Sequence, residues 1–224
     1  DDWGVDVTVA GSQKGLMVPP GLGFVWANAK ALEAHRHADL VTAYWNWTAR
    51  MDRSKHYLRY CGTPPVSHLY GLREALDMLL EEGLDAVWAR HRVFADAVRA
   101  AVEAWAGPGG IEFNITDPQA RSNAVTTILT GGIDAARLRA LAERQAGLTL
   151  GIGLGDWEGA AFRIGHMGHL NPPHVLGTLA TVEAVLHAME APIVGSGVAA
   201  AAERLATGLN AGAVPSGTVH GFAP

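Results

Sequence analysis

The sequence predicts an α/β protein in which short apolar strands alternate with amphipathic helices. Valine alternates with polar residues in 5–9, as expected for a strand, and apolar residues recur at steps of three or four in two consecutive segments between 67 and 105, as expected for helices. The chain has 224 residues, 49% of them hydrophobic and 17% charged, which is the composition of an ordinary globular protein. This composition argues against collagen-like, disordered and coiled-coil classes.

The N-terminal part of the chain predicts two strands that flank a loop. The first strand runs into the small-residue loop 11–15, and residues 22–27 form a second short apolar strand after Pro19-Pro20-Gly21. Asn28 is a suitable N-cap for the helix that follows, because its side-chain oxygen can accept from the free amides of the first turn. Functional side chains are often carried by loops of this kind.

The middle of the chain predicts an irregular segment and two helices. Residues 35–62 contain Trp45, Trp47 and Tyr57 but show no sustained period, so we interpret them as a functional or interface loop, with the aromatic residues in a dimer interface or in core packing. Helices are predicted from Ser67 to Glu82 and from Leu84 to Trp105. The glycine cluster 107–110 then predicts a domain boundary, which divides the chain into 1–107 and 108–224.

The C-terminal part continues the alternation of strands and helices. Strands are predicted at 124–130, 148–152 and 160–164, and helices at 134–145, 175–189 and 198–206. The last dozen residues are expected to form a loose tail.

Charge and cysteine content indicate which classes of partner and which cellular compartment to expect. The formal net charge is -5, and the 17 Lys and Arg residues are scattered rather than clustered, so we expect no nucleic-acid partner. The sequence has no apolar run of 18 residues, so we expect no membrane insertion. Cys61 is the single cysteine, which fits a reducing compartment, and we expect a cytoplasmic protein. Because the sequence opens at Asp1 without Met, we also expect it to begin inside a longer protein.

Two basic residues are candidates for chemistry. Lys14 lies in a turn directly after a strand, where its amine can reach a cleft and form a Schiff base once it is neutral. Arg163 lies inside an apolar strand, where a charge is costly unless it has a partner; the pattern alone favours a surface salt bridge, and the cost of burying the charge favours a functional role. His166, His169 and His174 follow that strand without acidic or cysteine partners, so we predict no metal site.

The segment around Lys14, GSQKGLMVPPG at 11–21, closely resembles the cofactor-lysine segment of class V aminotransferases, in the branch of alanine–glyoxylate and serine–glyoxylate aminotransferases. Further segments resemble the family in the same order along the chain: WGVD at 3–6, YCGTPP at 60–65, LYGLREAL at 69–76 and FRIGHMG at 162–168. The resemblance implies the type I fold of pyridoxal-phosphate-dependent transferases, here as a partial large domain followed by a C-terminal α+β small domain.

Carried over residue by residue, the resemblance implies roles for five side chains. Lys14 would bind pyridoxal 5'-phosphate as a Schiff base and move the proton between the substrate α-carbon and the cofactor. Gln13 would contact the cofactor phosphate, and Tyr60 and Thr63 would reach the phosphate in the neighbouring subunit of a homodimer. Arg163 would bind the substrate α-carboxylate.

The implied reaction is transfer of an amino group from a small amino acid, such as alanine, serine or aspartate, to glyoxylate or pyruvate. Two alternatives stay open: a truncated, inactive fragment that supports dimerisation or binding, and a pyridoxamine–pyruvate aminotransferase. The aspartate that pairs with the cofactor's pyridine nitrogen in this family lies upstream of the segment that matches Trp3. We therefore expect this chain to be the C-terminal half of the enzyme and a poor catalyst by itself.

Overall fold

The computed structural model describes residues 3–214, which form two compact units. The first unit ends at Met78 and the second begins at Leu79. The predicted loose tail lies outside the described residues except for its first two positions. The predicted domain boundary at residues 107–108 stays a prediction. The two compact units of this chain divide between Met78 and Leu79, so the predicted helix from Leu84 to Trp105 belongs to the second unit.

The first unit begins with a two-stranded antiparallel sheet. Strands β1 (Val7–Gly11) and β2 (Gly23–Ala27) pair over five residues, with Val7 opposite Ala27 and Gly11 opposite Gly23. The first strand starts two residues later than predicted because Asp6 is bonded to Asn28 instead: its backbone oxygen accepts from Asn28 N at 3.0 Å and its carboxylate from Asn28 Nδ2 at 2.8 Å. The two strands therefore meet the following helix at Asn28.

Helices make up the rest of the first unit. Helix α1 (Ala29–Arg36) begins at the predicted cap, where Asn28 Oδ1 accepts from Ala31 N at 2.9 Å. The segment predicted to be irregular contains the short helix α2 (Trp47–Met51) and a 3₁₀ helix at His56–Tyr60. Helix α3 (Val66–Glu82) follows and contains the division between the units. Helices of five residues are too short for apolar periodicity to reveal them.

The second unit is an α+β arrangement around one four-stranded antiparallel sheet. Its helices are α4 (Leu84–Trp105), α5 (Ala135–Ala146), α6 (Pro172–Ala188) and α7 (Gly197–Asn210). Its strands are β3 (Glu112–Phe113), β4 (Val125–Leu129), β5 (Gly151–Ile152) and β6 (Ala161–Gly165), in the order β3-β4-β6-β5. The sequence predicts every one of these elements except β3, which is only two residues long.

The core of the second unit lies between the sheet and its helices. Alternation within β4 buries Thr126 and Ile128, and Phe162 and Ile164 of β6 are buried with them. Across from the sheet, α4 buries a stripe at helical spacing: Val87, Phe94, Val98, Val102 and Trp105. Leu84, predicted to belong to this apolar face, is 51% exposed. Helix α4 also packs along α7, so both helices border the same core.

A carboxylate joins three helices of this unit. Glu183 of α6 accepts from Trp105 Nε1 of α4 at 2.7 Å, and from Ser196 Oγ at 2.9 Å and Val198 N at 3.1 Å at the start of α7. Partial burial would raise the pKa of Glu183, but these hydrogen bonds outweigh it and lower the pKa. A negative charge at a helix N-terminus is also favourable to the helix dipole. Glu183 therefore fixes where α7 begins.

Candidate functional site

The loop that carries Lys14 is held together by one buried serine. Ser12 N donates to Leu22 O at 3.1 Å, and Ser12 O accepts from Val18 N at 3.0 Å. The hydroxyl donates to Pro19 O at 2.8 Å and accepts from Leu22 N at 3.2 Å. All polar groups of Ser12 are thus bonded within the loop between β1 and β2, and such a buried, satisfied network rigidifies its surroundings.

Lys14 lies exposed at the tip of this loop. Its backbone oxygen accepts from Met17 N at 2.9 Å, which closes a four-residue turn, and Met17 adopts a left-handed conformation with φ of 60°. Within residues 3–214 no carboxylate pairs with the Lys14 amine. A fixed backbone with a free amine is the arrangement that a cofactor aldehyde would require, so the residues present fit the cofactor expected from the sequence.

Gln13 folds back over the end of β1. A Cβ atom added to Gly11 would lie 2.7 Å from Gln13 Oε1, so only glycine leaves room for the amide in this position. Gln13 and Lys14 are both exposed. These two predicted site residues are neighbours in the sequence and lie on the same loop between β1 and β2.

A histidine that sequence reasoning missed anchors the same loop. His68 of α3 donates from Nε2 to Pro20 O at 3.0 Å, since a backbone carbonyl can only accept. Its ring lies against Gly21, where an added Cβ would approach Nε2 to 2.6 Å. The sequence carries no signal for this contact because 48 residues separate the two partners.

Tyr60 and Thr63 lie in the segment that follows α2. Tyr60 is half-buried and its ring meets His56 edge-on at 5.5 Å, whereas Thr63 is exposed. Arg50, which sequence reasoning did not single out, fixes this segment: Nη1 donates to Leu58 O at 2.7 Å and Nη2 donates to Tyr44 O at 2.9 Å. The aromatic residues of this region do not form a core, since Trp45 is 75% exposed and Tyr57 is 49% exposed.

Arg163 is the predicted site residue of the second unit. It lies in β6 directly between Thr127 of β4 and Gly151 of β5. Its Nε donates to Ile152 O at 2.7 Å. No ion pair to a carboxylate is present among the described residues, so in this part of the chain Arg163 does not form the salt bridge that was the alternative interpretation. The two Nη groups of its guanidinium are free to bind an anion.

The loop after Arg163 is fixed by helix α4. Arg90 is buried, is paired with Glu82 at 2.7 Å, and donates from Nη1 to Gly168 O at 2.7 Å. Gly168 N donates to His91 Nε2 at 2.9 Å, so His91 Nδ1 carries the proton that bonds Val87 O. Both backbone groups of Gly168 are therefore satisfied by adjacent residues of α4. The sequence gives no sign of this role for Arg90 or His91.

His166 is a packed residue of the same loop. Its Nδ1 donates to Asn123 O at 3.0 Å and its Nε2 accepts from Thr126 Oγ1 at 2.9 Å. Burial, above all, lowers its pKa to about 4. Over residues 3–214 the structure contains no group of three or more His, Cys, Asp or Glu side chains that could hold a metal ion. In the same range no helix combines the length and apolarity needed to cross a bilayer.

Known proteins are similar to this chain over most of its length, but the similar region makes up only about half of each known protein. Over 207 residues it is 42% identical to a serine–glyoxylate aminotransferase from Arabidopsis thaliana, covering 92% of this chain and 51% of the relative. It is 41% identical to an L-aspartate–glyoxylate aminotransferase from Paracoccus denitrificans, covering 91% of this chain and 50% of the relative. The chain thus spans about half the length of these curated relatives.

Solved structures match the fold over the same extent. Ureidoglycine–glyoxylate aminotransferase from Bacillus subtilis superposes with a TM-score of 0.79 at 30% identity, covering 92% of this chain and 53% of that one. Pyridoxamine–pyruvate aminotransferase from Mesorhizobium loti gives a TM-score of 0.79 at 31% identity, covering 91% of this chain and 52% of that one. The fold is therefore the type I fold of pyridoxal-phosphate-dependent transferases. The family profile of class V aminotransferases matches residues 1–154, and the chain belongs to this family.

Proposed function

We propose that this chain is the C-terminal half of a pyridoxal-phosphate-dependent aminotransferase that transfers an amino group from a small amino acid to glyoxylate or pyruvate. The observation that carries the proposal is the Lys14 loop, whose backbone is locked by Ser12 while the amine stays exposed and unpaired among the described residues. The candidate donors are alanine, serine and aspartate. Serine and aspartate occur in the names of two relatives, together with glyoxylate.

The chain's own residues would divide the work of the reaction. When bound, pyridoxal phosphate supplies the aldehyde that takes up the amino group and the ring that accepts electrons from the α-carbon. Lys14 Nζ takes the proton from the substrate α-carbon, which is the general-base step. Arg163 binds the α-carboxylate through its free Nη groups, and Gln13 donates its amide to the phosphate.

The proposal includes a homodimer in which Tyr60 and Thr63 contact the phosphate in the neighbouring subunit. Exposed large apolar side chains in the segment 35–62, which contains Tyr60, support it, because Leu40 is 89% exposed and Trp45 is 75% exposed. A surface of this kind is typical of protein interfaces. We further propose a cytoplasmic location, which the free thiol of Cys61 supports; fractionation of the native cell would test it.

The Lys14 assignment is tested by trapping the cofactor. The sequence contains three lysines, Lys14, Lys30 and Lys55, so reduction with borohydride in the presence of pyridoxal phosphate and mass spectrometry can assign every adduct. We expect labelling of Lys14 and its loss in Lys14→Ala. Lys30 is an internal control, because its amine donates a hydrogen bond to the carboxylate of Asp6 at 2.8 Å, whereas no carboxylate pairs with Lys14 among the described residues.

The pattern of labelling decides between the proposal and the inactive-fragment alternative. Equal labelling of Lys14 and exposed Lys55, unchanged by the upstream half of the protein, would contradict the proposal and favour a binding or dimerisation fragment. If Lys14 is labelled selectively, transamination assays on the longer protein would identify the amino donor. The pyridoxamine–pyruvate alternative, supported by the solved neighbour with that activity, predicts free pyridoxamine as the donor.

A further inference from the structure

A row of three residues crosses the sheet of the second unit at Arg163. Thr127, Arg163 and Gly151 are directly opposite one another on β4, β6 and β5, so their Cα–Cβ directions share one face of the sheet. Strand β5 is one of the two edge strands of this sheet. Because Gly151 has no side chain, the space above β5 is open to the side chain of Arg163 on the neighbouring strand β6.

The side chain of Arg163 uses that space. A Cβ atom added to Gly151 would lie 3.1 Å from Arg163 Cβ, closer than most real contacts of that kind, and 3.4 Å from Arg163 Nε, which is van der Waals contact. Gly151 does not have a left-handed φ, so its backbone does not require glycine. The absent side chain, rather than backbone freedom, is therefore the reason that glycine fits here.

The direction of the guanidinium is then set by one hydrogen bond. Arg163 Nε donates to the backbone oxygen of Ile152 at 2.7 Å, which commits one of the five N–H groups of the guanidinium. The remaining four are on Nη1 and Nη2, and within residues 3–214 no acceptor binds them. An anion can therefore be bound end-on, by both Nη groups together, but not along the edge that contains Nε.

We propose that Gly151 and the carbonyl of Ile152 form a positioning site that holds Arg163 end-on toward the carboxylate of an amino acid or 2-oxo acid. The proposal rests on the proposed function of Arg163. Gly151 acts through Arg163 and touches no substrate. A lysine at 163 would keep the charge but lose both the Nε donor and the planar pair of Nη groups, so it would not reproduce the geometry.

The positioning contact is tested by nuclear magnetic resonance on the full ¹⁵N-labelled chain. The Nε–H signal of Arg163 is assigned by its loss in Arg163→Lys. We expect it to exchange with water about tenfold more slowly than the Nε–H of exposed Arg204, because it is hydrogen-bonded. Gly151→Ala should remove this protection. Gly177→Ala adds the same methyl group in open space on α6 and should keep it.

Two results would overturn the positioning site: no protection of the Arg163 Nε–H in the wild-type chain, or protection that survives in Gly151→Ala. Titration with pyruvate tests the proposed carboxylate-binding role of Arg163 separately from the positioning site. We expect pyruvate to shift the Arg163 side-chain signals, and to do so at about tenfold higher concentration in Gly151→Ala. Protected Nε–H that depends on Gly151, with no response to pyruvate, would overturn the carboxylate role of Arg163 while leaving the Gly151 contact in place.

Discussion

At the scale of single residues, the burial of His166 makes the stability of the second unit depend on pH. Burial, above all, and the nearby charge of Arg99 lower its pKa to about 4, from 6.5 in an unfolded chain. Its Nε2 accepts a hydrogen bond from Thr126 Oγ1 at 2.9 Å, which a protonated ring could not do. The imidazole is therefore neutral in the folded protein at pH 7.

The sign of the effect follows from proton binding. Between about pH 6.5 and pH 4 the unfolded chain binds a proton at His166 and the folded chain does not, so acidification favours unfolding. We expect the free energy of unfolding to fall by up to about 3 kcal/mol over this range. Urea unfolding at a series of pH values measures it. His166→Gln should flatten the dependence, and exposed His187→Gln should retain it; parallel curves for all three proteins would contradict the assignment.

At the scale of elements, helices α4 and α7 approach closely through a glycine. A Cβ atom added to Gly208 of α7 would lie 2.5 Å from Val93 Cγ1 and 2.9 Å from Val93 Cγ2 of α4. Gly177 of α6, by contrast, has nothing within 4 Å of an added Cβ. The same substitution in two helices of one unit should therefore have opposite effects.

We expect Gly208→Ala to destabilise the chain by about 1–3 kcal/mol, because overpacking outweighs the better helix propensity of alanine. Gly177→Ala should stabilise it by up to about 1 kcal/mol. Urea unfolding measures both. Adding Val93→Ala to Gly208→Ala removes the clashing methyl groups and should restore part of the loss. Equal effects of the two glycine substitutions would show that α4 and α7 are not in close contact.

At the scale of the whole molecule, the two units differ in how much they bury. Among residues 3–78 only Ser12, Val18 and Ala75 are buried, whereas the second unit has a continuous apolar core. Strands β1 and β2 expose apolar side chains, with Val9 71% exposed and Val25 53% exposed. A two-stranded sheet without a covered face is marginally stable in water.

Amide hydrogen exchange should show this difference. We expect β1 and β2 to exchange much faster than β4 and β6. If the chain is the C-terminal half of a longer enzyme, as proposed, β1 and β2 should become protected when the upstream half is present. If the proposed dimer forms, residues 40–62 should slow with rising protein concentration while β4 and β6 stay unchanged. Equal protection of both sheets in the isolated chain would contradict the difference in stability between the units.

Local sequence determined most of the elements and the candidate chemistry. The Asn28 cap, the apolar period of α4 and the strand at β4 were predicted from local sequence, and the structure confirms them. The family assignment also came from ordered motifs around Lys14 and Arg163. Such short segments can be recognised in the sequence without knowledge of the tertiary contacts that their residues make. The roles of Lys14, Gln13, Tyr60, Thr63 and Arg163 stay predictions.

Only the tertiary structure decided what holds these residues in place. His68 reaches Pro20 across 48 positions and Arg90 reaches Gly168 across 78, and neither partner carries a periodic or motif signal. Gly151 in the sequence is one of 27 glycines, and its contact with Arg163 exists only through strand pairing. Sequence patterns report local geometry and burial, whereas the direction of a side chain depends on neighbours that folding brings from distant parts of the chain.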